Sequence, residues 1–293
     1  MSNMIADYNK DKSLFGNCIG FLDEIFPGCK EFALKGIQYG ASWPNSSIPF
    51  IVEEQGKIVA HIGILPLTIT LNNNTHQTAA IHAVGVNPSH RRKGYFKLLM
   101  KEVITYVKQN FESSFLMTQK PYLFKNYPYT IMLPEYDFLL KESGFSSKKG
   151  GLRELNLDHS DDFALLNKLL SERLSLSNQF SILGKNAITL FILNSMHGKI
   201  GYSDRLNTMV LYQVIGGALY LREIVSQNEQ KLSDIIETIP ESFNKVILQF
   251  CPDRFLNENE YTAILARPEN CVMVSPEFKF NGKYFRYPEV YSC

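Results

Sequence analysis

The stretch whose reading decides the fold runs Ile81-His-Ala-Val-Gly-Val-Asn-Pro-Ser-His-Arg-Arg-Lys-Gly-Tyr-Phe96. It begins as an apolar, β-prone run that ends at Asn87-Pro88, since proline cannot donate to a strand ladder. A basic loop, His90-Arg91-Arg92-Lys93, then turns at Gly94 into a segment carrying Phe96, Leu99, Met100, Val103, Ile104, Val107 and Phe111 at helical spacing. Lys97, Lys101, Glu102 and Lys108 take its other face. Strand, donor-rich loop and helix start, in that order, build an anion site. The first amides of a helix lack intrahelical acceptors and together carry roughly +0.5 of a charge.

Upstream, Leu14, Phe15, Cys18, Ile19, Leu22, Ile25 and Phe26 recur at helical spacing before Pro27-Gly28, and a second apolar stretch covers Phe32 to Ile37. From Ile48 the period shortens. The run to Glu54, a turn at Gln55-Gly56 and the run from Lys57 predict a β-hairpin. Strand continues over Leu67–Leu71, turns at Asn72–Asn74, and resumes from Thr75 to Val86. Downstream of the helix, Ser114–Gln119 predicts a short strand, and an aromatic stretch spans Tyr122 to Phe138. Ser146-Ser-Lys-Lys-Gly-Gly151 reads as a linker, which divides the chain into 1–147 and 152–293. In the second part, Asp161-Asp162 are read as caps of a helix through Leu174, and another helix is expected over about 185–196. A hairpin is expected around Gly216-Gly217, then a helix over Ser226–Thr238 and strands at Lys245–Phe250 and Tyr261–Leu265.

Composition narrows the function. A 293-residue chain with 45% hydrophobic and 20% charged residues is globular. Its net charge of +1 argues against a general nucleic-acid binder, so no nucleic acid is expected as partner. Five cysteines without a C-x-x-C pair point to reduced thiols and no zinc site. No secretory h-region and no apolar run near ~20 residues is visible, so a cytoplasmic protein without a membrane partner or metal is expected.

The string Val86-Asn-Pro-Ser-His-Arg-Arg-Lys-Gly-Tyr-Phe96 resembles motif A, Q/R-x-x-G-x-G/A, of the GNAT superfamily of N-acetyltransferases. Arg91 takes the first position and Gly94 the central glycine, while Phe96 departs from the last. The His-Arg-Arg-Lys-Gly string and the two-part layout are most similar to the Eis-type acetyltransferases, without their sterol-carrier-like C-terminal domain. The resemblance implies an α+β (mixed α/β) fold: a splayed, mostly antiparallel central sheet flanked by helices, then a second, degenerate GNAT-like or capping domain. It implies acetyl-CoA as acyl donor, its pyrophosphate on Arg91, Arg92, Lys93, Gly94, Tyr95 and Phe96. It further implies an amine-bearing small molecule or exposed lysine as acceptor.

The same resemblance places the pantetheine arm and an oxyanion donor on the main chain of Val84, Gly85 and Val86. It places a proton-handling histidine at His82, whose residue type suits the task. Thiolate protonation is the weak point. Family members use the tyrosine of a string like F-Y-x-x-x-G-F, where this chain offers Phe124 or, in an alternative match, Leu140. Tyr122 and Tyr127 are the substitutes, with Tyr129 nearby. Glu135, Asp137 and Glu142 are read as a solvated acidic face or an attraction for a cationic amine. The C-terminal carboxylate of Cys293 is a further candidate by analogy to the Eis type. Two other readings stay open: an acyl-CoA-binding scaffold without transfer activity, and a loop for another phosphate ligand.

Overall fold

The computed structural model describes residues 4–11, 13–141, 151–183, 198–266 and 270–288. The helix expected over 185–196, the linker at 146–150, Glu142 and Cys293 lie outside them.

The chain opens with helices α1 (Leu14–Ile25), α2 (Cys29–Gln38) and α3 (Trp43–Ser46). Three antiparallel strands follow, β1 (Ile48–Glu54), β2 (Lys57–Leu71) and β3 (Asn74–Val86). The basic loop leads to α4 (Tyr95–Asn110), which crosses over to β4 (Ser113–Thr118), parallel to β3. Leu99, Met100, Val103 and Val107 of α4 are fully buried against this sheet. Each contributes about 1.5–3 kcal/mol relative to exposure. The other face of β1–β3 is covered by α1, where Cys18, Ile19, Phe21 and Leu22 are buried.

Strands β5 (Ile131–Leu133) and β6 (Glu135–Leu140) are separated only by Pro134, yet they belong to different sheets. After β7 (Arg153–Glu154), α5 (Ser160–Glu172) and β8 (Phe180–Ile182) come β9 (Lys199–Ser203), β10 (Thr208–Ile215) and β11 (Ala218–Ser226). A short α6 (Leu232–Ile236) precedes β12 (Lys245–Leu248), β13 (Tyr261–Ala266) and β14 (Cys271–Val274). The first sheet is ordered β1-β2-β3-β4-β14-β5, with β8 joining β2; the second is ordered β13-β6-β12-β11-β10-β9-β7.

The sequence boundary between 147 and 152 is therefore not the boundary between the sheets. The last strand of each half inserts next to the fourth strand of the other: β14 beside β4, and β6 beside β12. The second sheet otherwise repeats the first, with β9-β10-β11 antiparallel and β11 parallel to β12. In both, four residues pair in parallel, Thr78–Ile81 with Ser113–Leu116 and Ala218–Leu221 with Lys245–Leu248. An extra residue then disturbs the preceding antiparallel ladder, near Ala83 in β3 and at Arg222 in β11. The expected mixed α/β fold with a splayed first sheet is thus present, and the second sheet repeats its strand pattern.

At the crossing, Arg286 is 1% exposed and donates from Nε to Asp137 Oδ1 at 2.8 Å and from Nη1 to Glu135 Oε1 at 3.1 Å. Glu135 is buried as well and also accepts from Tyr287 N–H. These carboxylates form an internal ion cluster; they are neither a solvated face nor free to attract an amine. Two smaller expectations also change. Ser226–Thr238 is strand to Ser226 and helix only over Leu232–Ile236, because Ile235, Ile236 and Ile239 pack into the second sheet's core while Ser226–Gln230 is polar and turns. Asp161 and Asp162 lie inside the first turn of α5 instead of capping it; Asp162 accepts from Asn156 N–H and Arg153.

Candidate active site

Pairing of β3 with β4 stops at Ile81–Leu116, although β3 runs on to Val86 and β4 to Thr118. The two strands part there, so main chain from His82 to Val86 faces a gap. Within this segment β3 bulges: His61 pairs with Gly85 and Gly63 with His82, leaving one surplus residue opposite Ile62. Ala83 accommodates it at φ +50°, a region unusual for a residue with a Cβ. Gly85 brings its backbone to the floor of α1, where a Cβ would stand 3.4 Å from Ile25.

His82 starts the segment that has left β4. Its Nε2 is hydrogen-bonded to the buried Ser47 Oγ at 2.8 Å, and its ring lies 5.3 Å from that of Trp43. Gly63 makes the room, since a Cβ there would come within 2.6 Å of the imidazole. Burial, reinforced by nearby His61, pushes the His82 pKa down to about 3. The imidazole is neutral at pH 7 and a weak base.

The loop after β3 is tightly made. Asn87 Oδ1 accepts from Ser89 N–H at 3.1 Å and Ser89 Oγ at 2.7 Å, and Pro88–His90 forms one 3₁₀ turn. Arg92 at φ +64° and Gly94 at φ +91° turn the chain into α4. Among the described residues, the amides of Arg92 through Lys97 donate to no protein acceptor, whereas Leu98 N–H already reaches Gly94 O. Glu54 receives both His90 Nε2 at 3.2 Å and Lys93 Nζ at 3.4 Å. Lys93 is thereby partly neutralised, whereas Arg91 and Arg92, exposed like it, pair with no carboxylate among the described residues.

Phe96, in the first turn of α4, packs edge-on against Phe124 at 5.6 Å and Tyr127 at 5.7 Å. Phe124 is buried in the core below α4. Tyr127 is half-buried, and burial raises its pKa. Tyr122 is 62% exposed on a separate 3₁₀ turn. Tyr129 is buried and bonded to Ser114 Oγ at 2.8 Å. The structure thus brings Arg91–Phe96 and Tyr127 together around the start of α4, and His82 with Val84–Val86 along the gap. Sequence reasoning missed Ser47, Gly63, Glu54 and His61. Each is a single polar or small residue whose meaning depends on its cross-strand neighbour. Among the described residues no group of three or more His, Cys, Asp or Glu is placed to hold a metal ion.

Residues 23–132 match the family model described as an acetyltransferase (GNAT) domain. Over that segment the chain is similar to a GNAT acetyltransferase domain. No curated protein matches the full sequence. Among solved structures, a protein of unknown function from Enterococcus faecalis V583, titled a probable N-acyltransferase, is similar with TM-score 0.57 and 14% identity. That match covers 92% of this chain and 70% of the other. A GCN5-related N-acetyltransferase from Kribbella flavida follows at TM-score 0.56 and 14% identity, covering 92% and 71%. Eis1 from Mycobacterium abscessus matches at 0.51 and 11%, covering 78% and 63%. At such identities the likeness is one of fold. No helix of the described residues is long and apolar enough to cross a membrane.

Proposed function

We propose that the protein transfers an acetyl group from acetyl-CoA to the amine of a small molecule or an exposed lysine side chain, by direct attack. The observation that carries this reading is that the parted edge of β3 at His82–Val86 leads directly into the loop whose amides at Arg92–Lys97 have no protein acceptor among the described residues. A diphosphate suits the first, with Arg91 and Arg92 adding charge-assisted bonds. An extended amide-containing arm suits the second, as strand addition to an open edge.

In the reaction, the amine nitrogen bonds to the thioester carbon and the carbonyl oxygen becomes an oxyanion, held by the Val84 amide at the bulge. Collapse breaks the C–S bond, and the thiolate takes a proton from Tyr127. That tyrosine is preferred over Tyr122 because it packs on Phe96 beside the loop, whereas Tyr122 faces solvent. His82 is too weak a base to draw a proton from an alkylammonium of pKa near ~10.4. With Nε2–H donated to Ser47 Oγ, its Nδ1 accepts a hydrogen bond from an amine that arrives neutral; after attack the amine's proton passes to water, which also reprotonates Tyr127.

The second sheet supports a single acyl-CoA site per chain. Beyond its bulge, Leu174 N–H bonds to Ser226 O at 2.8 Å, Arg173 pairs with buried Glu223 at 3.1 Å, and Arg254 reaches Ser175 O. The chain's own Leu174 thus bonds to the strand edge beyond the bulge, and no glycine-rich basic loop precedes α6. The second unit is accordingly read as a degenerate GNAT-like cap interlocked with the first.

A thiol-release assay with acetyl-CoA over polyamines, aminoglycosides and lysine peptides tests the reading: release with at least one amine class is expected. Binding without release from any of them would favour a coenzyme A-binding scaffold, to which the buried Phe124 at the usual tyrosine position points.

A further inference from the structure

Among the described residues, the side chain that bonds to the bulge carbonyl is His61. It lies on β2 opposite Gly85, is 0% exposed, and its Nδ1 stands 2.8 Å from Ala83 O. A carbonyl can only accept, so Nδ1 carries the hydrogen and Nε2 is left with a lone pair. That Nε2 is buried with no partner among the described residues. A histidine held here at the cost of an orphaned nitrogen, where an aliphatic side chain would pack without one, calls for a positional explanation.

Peptide geometry supplies it. Ala83 sits at φ +50°, a conformation that persists only where the surroundings over-determine it. Across a planar trans peptide, C=O and the next N–H point in opposite directions. Fixing Ala83 O toward His61 therefore turns the Val84 N–H away from His61. We propose that His61 is a positioning residue: its Nδ1–H clamps the Ala83 carbonyl and so sets the direction of the Val84 amide that receives the developing oxyanion. This rests on the acyl-transfer reading above. Gly63, two residues along the same strand, adds to the arrangement by leaving space for the His82 ring.

Two measurements test it. Nitrogen NMR of the His61 ring in the wild-type protein is expected to show the Nδ1–H tautomer; the Nε2–H tautomer, or rapid mixing of the two, would overturn the clamp. This readout needs neither a variant nor any activity. In kinetics, His61→Leu is expected to bind coenzyme A within about threefold of wild type while acetyl-CoA turnover falls about 10- to 100-fold. His61→Asn, whose amide nitrogen takes the place of Nδ1, should recover most of that loss. Unchanged turnover in His61→Leu, or equal failure of both variants with native melting temperatures, would contradict the assignment. If wild-type protein neither binds nor turns over acetyl-CoA, the acyl-transfer reading fails, and the tautomer still decides the clamp.

Discussion

Phe96 stacks edge-on against Phe124 with ring centroids 5.6 Å apart, joining the last position of the loop motif to one of the two positions, Phe124 and Leu140, at which the resemblance would put a proton-donating tyrosine. One aromatic contact thus explains two departures from the family pattern. A bulky residue closes the first turn of α4 over a buried phenylalanine, whose ring carries no transferable proton. In the proposed reaction the proton donor is Tyr127, the other ring on Phe96. Tyr127→Phe is expected to lower turnover about tenfold or more with little change in acetyl-CoA affinity, while Tyr122→Phe stays near wild type. Steady-state kinetics and calorimetry on the two variants check this; the reverse order would move the acid to Tyr122.

Loop charge is unevenly available because Glu54 holds Lys93 and His90. Arg92→Ala should weaken acetyl-CoA binding about tenfold, the scale of one charge-assisted hydrogen bond, and Lys93→Ala by no more than about threefold. Equilibrium titration at two salt concentrations gives the comparison, since the arginine contribution should shrink as salt rises.

The paired histidines fix how stability varies with acid. Burial lowers His61 to about 4 and His82 to about 3, against ~6.5 in the unfolded chain. The unfolded state therefore binds protons first as pH falls below ~6.5, and stability drops. By pH 5 each histidine should cost on the order of 2 kcal/mol relative to pH 7.5. Urea unfolding at both pH values measures this. A His82→Asn variant should lose correspondingly less on acidification; equal losses would mean that His82 is not held neutral in the fold.

The interlocked strands make a prediction about fragments. Because β14 stands between β4 and β5, a fragment of residues 1–147 lacks an internal strand of its own sheet. It is expected not to fold cooperatively by circular dichroism and thermal melting. Arg286→Ala, which leaves Glu135 buried without its guanidinium, should cost about 3–5 kcal/mol in the full chain.

What could be read in advance follows from periodicity. The helix from Tyr95 to Asn110 has a continuous apolar stripe, and β1 to β3 are separated by turn residues, so both were legible. The exchange of β6 and β14 was not, because Glu135–Leu140 and Cys271–Val274 are short runs whose partners are chosen by tertiary packing. Glu135 and Asp137 misled for the same reason: a carboxylate's burial depends on Arg286, about 150 residues away. Around the candidate site, the basic loop and its turn at Gly94 were legible, whereas the contact of His61 with the Ala83 carbonyl was not. His61 in an apolar strand reads as an ordinary core histidine until Ala83 is seen opposite it.

Calorimetric titration of acetyl-CoA into the wild-type protein and an Arg91→Ala/Arg92→Ala double variant tests the central claim most directly. One site per chain is expected for the wild type, with affinity reduced at least tenfold in the double variant. No binding to wild-type protein, or binding indifferent to both arginines, would contradict an acyl-CoA site at the start of α4.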